Sequence, residues 1–245
     1  GEGLVSEVFN KEKIEKLSGN AAIGHVRYST AGGGGIMNVQ PFLFRTLDGM
    51  MGIAHNGNIV NANLLKKELE ENGSIFNSTS DTEVLGHLIK RETGRFVDRI
   101  CKSLEKIDGA FAFVILVEDA LYVARDRYGL RPLSMGRLPS GGYMFSSETC
   151  ALDIAGAEYV RDVEPGEIIR VKDGIIKSKK YTETLPICNK LCAMEYIYFS
   201  RPDSNLDGIN VHTARKTCGK TLFEEAPVEA DLVIGCLLYT SDAAD

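Results

Sequence analysis

The stretch "AFAFVILVEDALYVARD", Ala110 to Asp126, decides the fold. Its first half, Ala110 to Val117, is apolar throughout, so a strand made from it must be covered on both faces. Two polar residues, Glu118 and Asp119, then leave room only for a tight hairpin, and a hairpin joins antiparallel strands. The same connection recurs in "RVKDGIIK", where Asp173-Gly174 has a type I′ signature, and in "LPSGGYMF" around Ser140 to Gly142. Antiparallel strands buried on both faces call for two stacked sheets covered by helices, so the predicted class is α+β, a four-layer αββα sandwich. "NAAIGHVRY", Asn20 to Tyr28, reads as another buried strand.

The predicted helices fit that layering. "SDTEVLGHLIKRE" from Ser80 sets Val84, Leu85, Leu88 and Ile89 on one face, and Ser80 with Glu83 matches the S-x-x-E capping box. Phe96, Ile100 and Leu104 repeat at helical spacing in the next segment. After about Leu185 the texture changes. "LCAMEYIYFS" reads as a buried strand, "RPDSNLDG" as a loop, "INVHTARKTCGKTLFEEA" as a helix and "ADLVIG" as a strand, which is the opening of an α/β unit. The expected division is therefore 1–187, 188–235 and a tail at 236–245.

With 245 residues, 44% hydrophobic, 25% charged and a net charge of −6, the chain has globular composition and no broad basic surface for nucleic acid. The six cysteines lack the spacing of a disulfide framework, and no long apolar segment precedes them. Reduced thiols, a cytoplasmic location and no membrane partner are the expectations.

Four stretches can carry chemistry, and each has a plainer alternative. "GHVRYSTAGGGG" brings Arg27 to the start of a glycine-rich segment, either a surface loop or a lid in which the planar guanidinium meets a carboxylate. "HNGN", His55 to Asn58, is either a hairpin bend or an oxyanion site built from the Asn56 amide and the Gly57 N–H. Asp81 in "STSDTE" opens a helix, where a carboxylate gains from the dipole and can also hold an ammonium group. "ARDRYGLRPL" is chiefly structural, a strand-turn-strand with Gly129 at positive φ. Together, an arginine for a carboxylate, an amide pair for an oxyanion and an aspartate for an ammonium suit an α-amino acid whose side-chain carbonyl reacts, as in glutamine.

In this order, "GHVRYSTAG", "HNGN", "SDTE" and "RDRYGLRPL" resemble the glutaminase domain of class II glutamine amidotransferases, which have an N-terminal-nucleophile hydrolase fold. The stretch "EYIYFSRPDSNLDGINVHTAR", Glu195 to Arg215, resembles the phosphoribosyl-transferring branch of that family, which opens purine synthesis. It speaks against glucosamine-6-phosphate synthase and asparagine synthetase; a non-catalytic glutamine-binding regulatory domain is the other alternative.

The resemblance implies that Arg27 binds the glutamine α-carboxylate, that Tyr28, Ser29 and Thr30 lie in a loop running to Asn38 that closes over substrate, and that Asp81 holds the ammonium. Asn56 and Gly57 would form the oxyanion hole. It also implies ammonia transfer to phosphoribosyl pyrophosphate with Mg2+, feedback by purine nucleotides, and a homo-oligomer. Cys192 would be the first ligand of a [4Fe-4S] cluster present in some members; on its own terms it is equally a small buried hydrophobe. The family's attacking cysteine stands at the chain start, where this sequence has Gly1, and "CLLYTSDAAD" does not continue the family pattern. The expectation is an internal piece, inactive by itself, with most of a phosphoribosyltransferase domain and its phosphate loop outside it.

Overall fold

Residues 110–126 form the hairpin at the centre of the molecule. The computed structural model describes residues 1–27, 35–46 and 49–232. Strands β1 (Phe42–Thr46), β2 (Gly49–Ile59), β3 (Gly109–Val117), β4 (Ala120–Arg125), β8 (Glu167–Lys172) and β9 (Ile175–Lys180) make a six-stranded antiparallel sheet in the order β1-β2-β3-β4-β8-β9. A second sheet has the order β6-β5-β7, from β5 (Ser134–Arg137), β6 (Tyr143–Ser146) and β7 (Glu158–Asp162).

Strand alternation explains why β3 is apolar throughout. Phe111, Phe113 and Ile115 face helices α3 (Ala62–Glu71), α4 (Thr82–Arg91) and α5 (Phe96–Glu105), whose buried faces include Leu65, Leu69, Leu85, Leu88, Ile100 and Leu104. Ala112 and Val114 face the other way and join Val123, Leu133, Met135, Val163 and Ile169 in a second core between the sheets. Helix α6 (Thr149–Ile154) lies against β6 and β7 and buries Leu152, so the order of layers is helix, sheet, sheet, helix, as expected. The turns also agree. Val117 pairs with Ala120 across Glu118-Asp119, and Asp173 (φ 51°) and Gly174 (φ 72°) supply the two positive φ angles of a type I′ turn.

Three local expectations fail. Asn20 to Arg27 forms no strand: a continuous apolar run becomes one only where a sheet edge accepts it, and here Ile23 lies over Gly52 while Val26 stays exposed. Ser80 and Glu83 form no capping box, because Glu83 reaches further back to the N–H groups of Asn77 (2.9 Å) and Ser78 (2.8 Å). Glu195 to Phe199 is a π-helical turn instead of a strand, closed by Ser200 N–H on the Glu195 carbonyl (3.1 Å). Short apolar runs do not separate the two conformations by pattern alone.

The remaining elements are two short exposed helical turns, α1 (Val5–Val8) and α2 (Lys11–Glu15), a 3-10 turn at Ile36–Asn38, a small ribbon of β10 (Asn205–Leu206) with β11 (Ile209–Asn210), and helix α7 (Val211–Glu225). The Asn210 side chain accepts from Thr213 N–H and caps α7. Residues 188–192 run along the 127–130 loop, with N–H bonds from Cys188, Lys190 and Cys192 to the carbonyls of Arg127, Tyr128 and Leu130. The second half of "ADLVIG", from residue 233, lies outside the described residues, as does the tail at 236–245.

Candidate active site

The site follows from a mismatch in strand length. β1 pairs with β2 only as far as Phe42 opposite Ile53, so the outer edge of β2 is open from His55 to Ile59. On the inner side, the N–H and carbonyl of Phe111, opposite Gly57, both go to Asp126. Alternate residues of β2 therefore aim their N–H groups outward. Side chains cap two of these donors: His55 N–H meets Gln40 Oε1 at 2.7 Å, and Ile59 N–H meets Asp81 Oδ2 at 2.8 Å. Gly57 lies between them, its N–H on the same edge by the two-residue repeat, and no described side chain accepts from it.

Asn56-Gly57 is thus not a turn. It lies inside β2, paired with Ala112 and Phe111. The glycine is needed for another reason: its φ is 149°, and a Cβ there would overlap the Ala110 carbonyl. Neighbouring side chains take opposite faces. His55 points to the helix layer, stacks on Phe113 with ring centroids 4.4 Å apart, and sets Nδ1 3.0 Å from Thr82 Oγ1. Asn56 points between the sheets, where its Nδ2 donates to Ser147 Oγ at 3.3 Å.

Asp81 is the N-cap residue of α4, with its side chain 25% exposed. One oxygen takes the Ile59 N–H, and the other faces Thr82 Oγ1 (3.4 Å) and His55 Nδ1 (3.8 Å). Burial pushes its pKa up, but the His55 imidazole and the N–H groups of Ile59 and Thr82 outweigh this and hold it below the usual carboxylate value. The group is an anion at neutral pH.

Arg27 joins the same neighbourhood. Its Nη1 donates to the Asn38 carbonyl (3.4 Å), and the Asn38 side chain brackets Thr79, two residues before Asp81, through Nδ2 to Oγ1 (2.9 Å) and Oδ1 to N–H (3.1 Å). His25 lies close enough to be affected by His55 and Arg27; burial first, then the neighbouring His55 and Arg27, lower its pKa to about 4. Arg27, Asn56, Gly57 and Asp81 thus belong to one end of the sheet. Tyr28, Ser29 and Thr30 lie outside the described residues.

Sequence reasoning overlooked Gln40, Asn38, Thr79 and Ser147, which hold these groups in place, and gave His55 no role. Only His55 carried a signal, a polar residue ending the apolar run "GMMGIAH". The cleft lined by Leu65, Glu68, Leu69, Asn72, Leu88, Arg91 and Lys106 shares no residue with this cluster.

Consecutive residues presenting an amide side chain and an outward main-chain N–H can donate to a carbonyl oxygen that gains charge, and a nearby carboxylate and arginine offer opposite charges to a ligand. Sequence comparison agrees: a family model described as a glutamine amidotransferase domain matches residues 28–153, and the chain belongs to the glutamine amidotransferases. Within that class it is 55% identical over 238 residues to the amidophosphoribosyltransferase of Bacillus subtilis (strain 168), covering 96% of this chain and 49% of the relative. Against the amidophosphoribosyltransferase of Staphylococcus aureus (strain Mu50 / ATCC 700699) identity is 49% over 237 residues, with 96% and 48% covered.

The chain spans about half the length of the curated relatives it matches. Among solved structures it resembles the allosteric regulatory enzyme of purine biosynthesis, with a TM-score of 0.89, 54% identity and coverage of 94% of this chain and 50% of the other. It also resembles glutamine phosphoribosylpyrophosphate amidotransferase from B. subtilis in complex with ADP and GMP, at TM-score 0.87, 52% identity and coverage of 94% and 49%.

Proposed function

We propose that this chain is the glutamine-hydrolysing part of an amidophosphoribosyltransferase, which takes ammonia from glutamine and transfers it to phosphoribosyl pyrophosphate. The products are 5-phosphoribosylamine, glutamate and pyrophosphate, in the first committed step of purine synthesis. The observation that carries this reading is the open edge of β2: the Gly57 N–H and the Asn56 amide, from neighbouring residues, beside the Asp81 carboxylate.

Arg27 would take the α-carboxylate of glutamine and Asp81 its ammonium, which fixes the amino-acid end. The side-chain carbonyl then lies at the β2 edge. When the family's N-terminal cysteine adds to that carbonyl, the oxygen gains charge, and the Asn56 and Gly57 donors stabilise it without having to reorganise. Collapse of the adduct expels ammonia and leaves a thioester, which water cleaves to glutamate. Ammonia loses its nucleophilicity on protonation, so its passage to the second substrate must be shielded from bulk water.

In the intact enzyme, Asn56→Ala is expected to lower glutamine-dependent turnover on the order of a hundredfold while sparing synthesis from free ammonia. Equal loss of both activities would overturn the assignment.

Feedback by purine nucleotides belongs to the same proposal, supported by the ADP and GMP complex of the B. subtilis relative, as do a homo-oligomeric state and a cytoplasmic location. No described helix is long and apolar enough to cross a membrane. Mg2+ would accompany phosphoribosyl pyrophosphate in the transferring part. An iron-sulfur cluster needs four cysteine ligands, and the described residues gather no group of three metal-ligating side chains, so Cys192 and its described neighbours do not by themselves fit one.

A further inference from the structure

The assignment of Asn56 leaves open what holds its amide in position. The Asn56 carboxamide has two N–H bonds and free rotation at its end, so a useful oxyanion donor needs one N–H tethered and the other left for substrate. The tether is Ser147, whose Oγ accepts from Nδ2 at 3.3 Å from the connection between β6 and α6. Ser147 is itself held through its neighbours. Glu148 Oε2 accepts from the Arg201 N–H (2.7 Å) and the Ser204 hydroxyl (2.7 Å), and Thr149 Oγ1 accepts from Asn205 N–H (2.8 Å). Ser204 is fully buried at this junction. A second link fixes the same segment: Arg131 Nη1 meets the buried Glu195 carboxylate at 2.7 Å, and Ser200 Oγ donates to the other Glu195 oxygen at 3.0 Å.

From this geometry we propose that Ser147 and Glu148 are positioning residues, through which the segment 200–205 sets the orientation of the Asn56 amide. Residues 147 and 148 are consecutive, so a shift of the segment that the Glu148 carboxylate grips reaches Ser147 through that one side chain and a single peptide unit. The segment lies in the stretch whose sequence resembles the phosphoribosyl-transferring branch. The link therefore makes the quality of the oxyanion hole depend on the placement of the part that receives ammonia. This rests on Asn56 being an oxyanion donor.

The test is a double-mutant cycle in the intact enzyme, read as glutamate release and as ammonia-dependent synthesis. Loss of the tether in Ser147→Ala should lower kcat for glutamine about tenfold, the scale of one hydrogen bond, with glutamine KM and ammonia-dependent synthesis unchanged. Ser147→Thr, which keeps the hydroxyl, should restore most of that loss. Asn56→Ala combined with Ser147→Ala should be no slower than Asn56→Ala alone, because the tether then has nothing to hold. Ser204→Ala, which loosens only the far end, should give a smaller fall, roughly threefold, again in kcat alone.

If Asn56→Ala slows glutamine turnover but Ser147→Ala does not, or the two losses multiply, the positioning role is overturned while the oxyanion assignment stands. If Ser204→Ala leaves glutamine kcat unchanged, the link to the segment is overturned. If Asn56→Ala itself has no effect, the underlying assignment fails first.

Discussion

Two buried polar regions flank the start of β3, one on β2 and one at the end of β4, and are built on opposite terms. At the last residue of β4, Arg125 is 2% exposed and donates to the carbonyls of Gly129 (2.8 Å), Arg131 (2.7 Å) and Val163 (2.8 Å). Asp126, fully buried, accepts from the N–H groups of Phe111, Tyr128 and Leu130. These charges have backbone partners on every side. At the edge of β2, by contrast, the buried His55 Nε2 has no partner among the described residues, Gly57 sits at φ 149°, and Asp81 keeps a quarter of its side chain exposed. A closed shell of hydrogen bonds leaves nothing for a ligand and marks architecture; an open shell is costly to a folded protein and marks chemistry.

The largest expected effect tests the closed region. Arg125→Ala strands three carbonyls, two of them in fully buried bonds, and should cost roughly 3–5 kcal/mol in urea unfolding. A loss under about 1 kcal/mol would mean that water replaces the guanidinium and the shell is not closed. Gly57→Ala tests the open region and should separate the two properties. Its strain should cost about 1–3 kcal/mol of stability, less than the arginine change, yet abolish glutamine turnover by turning the N–H away. If stability fell without loss of turnover, Gly57 would serve packing alone and the contrast between the regions would collapse.

Much of this was legible in the sequence, and what was not has a common cause. Burial on both faces is written into Ala110 to Val117, hairpin connectivity into Glu118-Asp119 and Asp173-Gly174, and the helix layer into the spacing of Val84, Leu85, Leu88 and Ile89. Those features are local. The function of Asn56-Gly57 was legible only through its company with Arg27 and Asp81. Taken alone, the pair signals a bend, because nothing local reveals that β1 stops at Ile53's partner and leaves an edge to be used. Gln40, Asn38 and Ser147 were invisible for the same reason: each acts across 15 to 91 residues of sequence, on a partner that only the folded sheet brings near. The stretch around Arg125-Asp126 reads as chiefly structural in the sequence, and its closed shell agrees.

The smallest expected effect is also the most selective. His25 is shifted to about 4, chiefly by burial, from an ordinary value of 6.5. Between those values the unfolded chain binds the proton and the folded chain does not, so folding stability rises with pH across this window. The contribution is complete above 6.5 and is lost as pH falls through the window toward 4. Because His25 is only partly buried, solvent screening keeps the slope small. His87 in α4 is also lowered, chiefly by burial, and adds to the slope from the helix layer. His25→Asn should therefore remove part of the acid-side slope, while Arg125, protonated at all these pH values, gives none. An NMR titration of the His25 ring should find its midpoint near 4; a midpoint near 6.5 would show that His25 is solvated, and would take the acid sensitivity away from the open edge.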